Sequence, residues 1–193
     1  MNKMIDLSGV VLHTPRMTLR PWRETDLQDF YDYASVDGVG QMAGWKPHES
    51  IEESRQILTS FIMGRKTFAL EYRGRCIGSI GVERYKQKDS PELDDWKCRE
   101  IGFVLAKEYW GQGLMPEAVN EVIRYLFTDV KLDAILCAHY IWNRQSARVQ
   151  EKCGFRYYKT VISETRIGTT ETAVLNILDR DTWLAGHQEV SYD

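Results

Sequence analysis

The sequence is short of the devices that hold metals, disulfides and membranes. Its four cysteines, Cys76, Cys98, Cys137 and Cys153, include no C-x-x-C pair, which excludes a zinc ribbon and a thioredoxin-type redox pair. Its four histidines, His13, His48, His139 and His187, include no H-x-x-x-H pair, so no helix presents two imidazoles to one ion and no metal is expected. No run approaches the ~20 apolar residues of a membrane span, and no membrane partner is expected. The opening MNKMIDLSGVVLH places Lys3 and Asp6 around a short apolar patch and does not read as a signal peptide. Free thiols in the cytoplasm are therefore the expectation. Charge of one sign is also scarce: the formal net charge is −3, whereas a dedicated nucleic-acid binder is usually basic, and no nucleic acid is expected. There is no internal repeat, low-complexity tract or linker.

What is present is an ordinary globular chain. It has 193 residues with a hydrophobic fraction of 43%, enough to bury a core without staples, and a single domain over 1–193 is the expectation. Met17 and Leu19 alternate with polar neighbours and predict a short first strand closed by Pro21. Thr25, with Gln28 three residues on, reads as a helix N-cap, and Leu27, Phe30, Tyr31 and Ala34 give that helix one apolar face. Asp37 to Pro47 is a glycine-rich loop. Ser50 and Glu53 form a second capping box, for a helix that Gly64 ends.

Thr67–Tyr72 and Arg75–Tyr85 predict two strands joined tightly by Arg73-Gly74, and Lys86–Lys97 a loop. Ile101–Leu105 and Ala134–Tyr140 are apolar strands with a helix between them, running to Asp129. Asn143–Cys153 is a short helix, with Gly154 past its end and Phe155 placed for a Schellman cap against Val149. Thr169–Leu178 is a last strand. The order predicts α/β architecture with a mixed sheet, residues 100–140 forming a right-handed parallel crossover.

The stretch YWGQGLMPEA, Tyr109 to Ala118, connects the central strand to its helix. A turn of this kind aims several backbone N–H groups, unpaired within the helix, at one point, and the helix dipole adds positive charge there. Gly111 and Gly113 let an anion approach the backbone, and Pro116 suits the first helical position. The turn therefore reads as a phosphate cradle, although a plain strand–helix connection would also use these residues. A P-loop is excluded by the missing G-K-S/T. A dinucleotide fingerprint is excluded because Pro116 stands where the third glycine belongs, and because Asp133 precedes the next strand instead of following it.

With TPRMTLRPW (Thr14–Trp22), EIGFVL (Glu100–Leu105) and NRQSARVQEKCGF (Asn143–Phe155), this turn resembles the GNAT superfamily of N-acetyltransferases, in the branch of RimJ/RimL-type ribosomal-protein N-terminal acetyltransferases. The likeness runs from about residue 12 to 183. It implies a mixed, mostly antiparallel sheet whose two central parallel strands splay apart, flanked by helices, with acetyl-CoA as cosubstrate. The implied cosubstrate contacts are the backbone of Phe103, Val104 and Leu105, the turn Gly111, Gln112, Gly113, Leu114, Met115 and Pro116, and Asn143, which is also a natural N-cap.

The acceptor implied is a primary amine: most directly a protein or peptide N-terminal α-amine, with a small-molecule amine (polyamine, amino acid or aminoglycoside) as the alternative. A catalytically silent acyl-CoA-binding module is the reading from another class. A homodimer is the one assembly carried forward. An ammonium acceptor must lose a proton before it attacks. Glu100 stands where the family often keeps a catalytic glutamate, with Glu83 and His139 as further candidates for the base. A strand N–H near Val104 would hold the oxyanion. Gln150 occupies the position where many members have an acid tyrosine, which leaves Ser146, one turn earlier on the same face, as a hydroxyl beside the cosubstrate. Trp22, Trp45 and Tyr140, with Glu83, are the candidates for the acceptor pocket.

Overall fold

The structure is a computed structural model and describes residues 5–187. One eight-stranded sheet organises it, in the order β1-β2-β3-β4-β5-β6-β8-β7. The strands are β1 (Leu12–His13), β2 (Thr18–Pro21), β3 (Thr67–Tyr72), β4 (Arg75–Glu83), β5 (Cys98–Leu105), β6 (Ala134–Tyr140), β7 (Arg156–Glu164) and β8 (Thr170–Asp179). The helices are α1 (Leu27–Ala34), α2 (Ile51–Gly64), α3 (Leu114–Thr128), α4 (Arg144–Lys152) and α5 (Arg180–His187). Only β5 and β6 pair in parallel, and α3 connects them.

Strand alternation divides the core between the two faces of the sheet. Phe68 and Leu70 of β3 join one cluster, with Leu114, Val119, Val122, Ile123 and Leu126 of α3 and with Phe155. Ala69, between them, faces a second cluster with Trp22, Phe30, Tyr33 and Leu58 from the α1–α2 side. Full burial of each of these large side chains contributes about 1.5–3 kcal/mol. A third cluster closes the far end of the sheet, where Ala134 and Leu136 of β6 meet Leu175 and Ile177 of β8. Among the described residues no helix is long and apolar enough to cross a membrane. The cysteines are buried free thiols, and burial pushes Cys76 and Cys153 up to about 12.

Several local expectations hold. Arg73 and Gly74 both take positive φ and turn β3 into β4, with Tyr72 opposite Arg75. Ser50 accepts the Glu53 N–H at 3.2 Å, while the Glu53 carboxylate caps the Glu49 N–H. Phe155 donates its N–H to the Gln150 carbonyl at 3.0 Å and Gly154 to that of Glu151 at 3.1 Å, the paired bonds of a Schellman cap.

Others need correction. Thr25 does not cap α1: residues Glu24–Asp26 form a 3-10 turn, and Asp26 enters it because its carboxylate takes the Arg23 N–H and both terminal nitrogens of the buried Arg20. The left-handed residue ending α2 is Arg65, not Gly64. Pro116 is the third residue of α3, still within the first turn whose N–H groups have no partner in the helix. β5 starts at Cys98, three residues before the expected point. The edge strand β7 lies outside the expected elements: Tyr157 and Ile162 stay exposed, while Tyr158 and Val161 are only partly buried against the third cluster, so its apolar residues give a weak pattern.

Candidate functional site

The parallel pairing of β5 with β6 lasts for four rungs, from Cys98–Ala134 to Ile101–Cys137. Both strands then continue, β5 to Leu105 and β6 to Tyr140, without pairing to each other. They are splayed, and a cavity of about 560 Å³ fills the gap, bordered by Glu100 to Leu105, Cys137 to Tyr140, the turn after β5, and the inner side of α4.

Strand parity decides which backbone groups enter the gap. Ala106 donates its N–H to Ile77 of β4 at 2.8 Å, and Lys97 accepts from Asp133, just before β6, at 2.9 Å. A residue's N–H and C=O point to the same edge of a strand and alternate along it. Even-numbered residues of β5 therefore bond toward β4 and odd-numbered residues toward β6. Past the last rung, the N–H groups of Phe103 and Leu105 turn into the gap. The Leu105 carbonyl is on that side too and takes the Trp110 Nε1–H at 2.8 Å. The N–H near Val104, expected to meet an oxyanion, instead points to β4, where Val104 faces Ser79.

Side chains follow the same alternation. Ile101, Phe103 and Leu105 pack toward α3. Glu100, Gly102 and Val104 project to the α1–α2 side. Glu100 is half-buried on the cavity wall. Burial above all raises its carboxyl above the usual carboxylate range; Asp89 and Glu83 add to the effect and Lys86 offsets part of it. Glu83, its cross-strand neighbour, is bound to Lys66 instead of lining the cavity.

At one end of the gap lies the glycine turn. Gly111 and Gly113 have φ of 77° and 76°, a region that a side chain with Cβ enters at a cost. Leu114 and Met115 bury their side chains in the core, so their backbone is what borders the cavity with Gly111, Gly113 and Pro116. Gln112 is not on that wall: its side chain donates to the Glu108 carbonyl and its own carbonyl accepts from Arg16. Arg16 is held there by Glu117 of the first turn of α3, at 2.7 Å. The cavity wall also carries Arg144, Arg148 and Lys152. This basic stripe at i, i+4, i+8 was overlooked, although its spacing alone puts the three on one helix face.

At the other end the cavity has a roof. Residues 39–43, with Val39, Met42 and Ala43 on the wall, cross above it. The Arg166 N–H, from the β7–β8 turn, donates to the Gly44 carbonyl at 2.8 Å. Asn143 Nδ2 donates to the Met42 carbonyl at 3.1 Å, while Asn143 Oδ1 accepts the Ser146 N–H at 3.0 Å and caps α4. Gly44 has φ of 80°, and a Cβ there would collide with the Tyr140 hydroxyl. Tyr140 and Ser163 complete this end. Trp45 and Trp22 do not belong to it: Trp45 packs its ring at a tilt against His48, and Trp22 is buried against Phe30 and Phe61.

Ser146 lies on the cavity wall, and its Oγ accepts from Gln150 Nε2 at 3.2 Å. Among the described residues no group of three or more His, Cys, Asp or Glu could hold a metal ion.

Residues 16–156 match the family model described as an acetyltransferase (GNAT) domain. The chain is 28% identical over 153 residues to the uncharacterized N-acetyltransferase YoaA of Bacillus subtilis (strain 168), covering 76% of this chain and 82% of that protein. It is also 28% identical over 182 residues to the FsC-acetyl coenzyme A-N(2)-transacetylase of Aspergillus fumigatus, covering 90% of this chain and 77% of the relative. A GNAT-family acetyltransferase of Bacillus anthracis superposes with a TM-score of 0.76 at 21% identity, over 89% of this chain and 99% of that one.

Proposed function

The chain belongs to the GNAT acetyltransferase family, and from that premise we propose that it works as one acetyltransferase domain moving the acetyl group of acetyl-CoA to the nitrogen of a small primary amine, in the cytoplasm. The observation carrying the choice of acceptor is the roof. A polypeptide N-terminus needs an open groove to bring its following residues past the strands, and here the Gly44–Arg166 bond and the Asn143–Met42 bond close that end. The likeness to the RimJ/RimL branch supports the other reading, a protein or peptide α-amine.

In this reading the pyrophosphate rests on the N–H groups of the turn from Gly111 to Pro116, with Arg144, Arg148 and Lys152 supplying charge beside it. The pantetheine arm lies in the gap and pairs with the odd-numbered backbone of β5, Phe103 and Leu105. The Phe103 or Leu105 N–H meets the oxygen of the attacked carbonyl. Glu100 takes the acceptor's proton; its raised affinity for a proton brings it closer to the working pH. The Ser146 hydroxyl, with its oxygen turned to Gln150, has its hydrogen free to solvate the departing sulfur. Tyr140 borders the acceptor.

Free thiol release from acetyl-CoA, measured over matched panels of small amines and peptide N-termini, tests this. Turnover confined to small amines is expected. Turnover confined to peptides would reverse the acceptor assignment, and no turnover with tight acetyl-CoA binding would leave only an acyl-CoA-binding module.

A further inference from the structure

Gln150 is the most completely bonded side chain in the site. It is fully buried, and its amide makes four hydrogen bonds. Nε2 donates to the Ala138 carbonyl and to Ser146 Oγ, each at 3.2 Å. Oε1 lies 2.8 Å from Asn176 Nδ2 and 3.2 Å from His139 Nδ1. The partners fix the orientation. A backbone carbonyl only accepts, so the amide nitrogen must face Ala138. The oxygen then faces His139, and since that oxygen also only accepts, His139 Nδ1 must carry a hydrogen. The neutral imidazole is thus held as its Nδ1–H tautomer, with its lone pair on Nε2. Among the described residues Nε2 has no hydrogen bond to protein, and the ring borders both the main cavity and a second one of about 360 Å³.

The location adds to this. Ile135 and Cys137 of β6 pack on the α3 side of the sheet, so His139, next in alternation, emerges on that side beside α4, while Glu100 is on the other. Gln150 touches His139 of β6 and also Ser146, which is one turn before it on α4. A glutamine in this place can neither give nor take a proton, and a serine hydroxyl can solvate a thiolate without supplying one at neutral pH. The titratable ring bonded to Gln150, and linked through it to Ser146, is His139.

We infer that His139, held in register by Gln150, is the proton carrier on the sulfur side of the reaction. The inference rests on the acetyl-transfer reading above. The amine nitrogen forms its bond to the acetyl carbon, the carbon–sulfur bond breaks with its electron pair on sulfur, and imidazolium Nε2–H protonates the thiolate. The ring returns to the Nδ1–H neutral form without moving. The acceptor ammonium loses two protons in all. Both leave to solvent in turn by way of Glu100, one before and one after the nitrogen–carbon bond forms, and one proton returns to sulfur through His139, so that one proton is released per turnover. His139 regains its proton from solvent through the second cavity. In this scheme Gln150 is a positioning residue. The charged and titratable groups around the ring are Arg144, Arg148 and Glu151 of α4, Tyr157 of β7, and Glu100 across the gap.

Two measurements test the assignment. Nitrogen-15 NMR of the imidazole in the wild-type protein reads the tautomer directly, without turnover: the Nδ1–H form is expected, and an Nε2–H form would overturn the proposal. Kinetics of His139→Gln supply the second. Expected are a roughly tenfold loss of kcat, the weak end of acid catalysis because a thiolate leaves readily, a KM for acetyl-CoA within about twofold of wild type, and loss of the high-pH fall in kcat. Wild-type kcat and pH profile in the variant would overturn the role. Gln150→Glu, which keeps an acceptor against Nδ1, should retain more activity than Gln150→Met, which keeps bulk and removes it; equal activity would remove Gln150 from the scheme. A wild-type protein that acetylates no amine yet shows the Nδ1–H tautomer would point instead to failure of the acetyl-transfer reading.

Discussion

The two ends of the cavity are built on different principles. The end at Gly111–Pro116 is made of backbone. Its two left-handed glycines and the first turn of α3 lie within six consecutive residues, and the side chains of Leu114 and Met115 are spent on the core. The roofed end is made of contacts between segments far apart in sequence: Gly44 with Arg166, Met42 with Asn143, Gly44 with Tyr140. In the acetyl-transfer reading proposed above, a backbone site suits the cosubstrate, whose phosphates need only N–H groups to meet them. A site assembled from distant loops can change its acceptor without disturbing the first. The difference teaches that cosubstrate and acceptor should be separable by mutation.

The sharpest break is expected at Glu100. Glu100→Gln should lower turnover about 100-fold while leaving the dissociation constant for acetyl-CoA unchanged, because the carboxylate lies on the α1–α2 side of the sheet, away from the turn proposed to hold the phosphates. Pre-steady-state thiol release beside a direct binding titration measures both. A variant with wild-type turnover would move the base to a water or to another residue.

The converse break is Gly113→Val. A β-branched residue opposes the φ of 76° and crowds the approach of a phosphate, so affinity for CoA should fall at least about tenfold, or ~1.4 kcal/mol. The KM for the amine should stay nearly constant when CoA is saturating. Unchanged CoA affinity in a folded variant would place the phosphates elsewhere.

The same contrast explains what could be seen in the sequence. Gly111, Gly113 and the Ser50–Glu53 cap were legible because positive φ and capping are local requirements, satisfied by neighbours in the chain. The two apolar strands were legible as runs, but their splay came only from the family likeness, since nothing in Ile101–Leu105 says that its pairing to β6 stops at Ile101. The roof was not legible at all: no property of Gly44 alone names Tyr140 or Arg166. Trp45 looked like a pocket aromatic and proved to be packing, its ring against His48. Thr25 fitted a capping pattern, but the buried Arg20 claimed its neighbour Asp26 and drew the chain into a 3-10 turn. Gln150 was legible as a missing tyrosine and not as a hub, because its four partners come from β6, α4 and β8.

Asn143 serves both the roof and the start of α4, and replacing it can separate the two roles. Asn143→Asp keeps the oxygen that caps α4, and aspartate is as good an N-cap as asparagine. It loses the donor to the Met42 carbonyl and sets a carboxylate against that oxygen. At this buried position the lost bond and the opposed charge should lower the melting temperature, while the KM for the amine shifts several-fold and that for acetyl-CoA does not. Asn143→Ala loses the cap as well and should cost ~1 kcal/mol, about 2–4 °C for a chain of this size. An unchanged melting temperature in Asn143→Ala would deny the cap its contribution, and an unchanged amine KM in both would detach the roof from acceptor binding.

The smallest expected effect concerns the pH dependence of stability, and it tests whether Glu100 really differs from an ordinary surface carboxylate. In the unfolded chain a glutamate titrates near ~4.3; in the fold, burial first and Asp89 and Glu83 after it raise the value. Between the two values the native state holds a proton that the unfolded chain has already released. Stability rises with pH where the unfolded state binds more protons, and here it binds fewer, so this group makes stability fall as pH rises. The loss is absent below the ordinary carboxylate value, grows through the window up to the raised value, and is complete above it. Glu100→Gln has no proton to lose at this site. The melting temperature of the variant minus that of wild type should therefore be near zero at the acid end, increase with pH, and level off above the raised value, with every other titration cancelling in the difference. A melting temperature above that of wild type is expected at pH 8, alongside the loss of turnover. A difference that stays flat from pH 5 to pH 8 would mean that water solvates the carboxylate fully. The roofed end would then lack a carboxylate whose ionisation burial opposes.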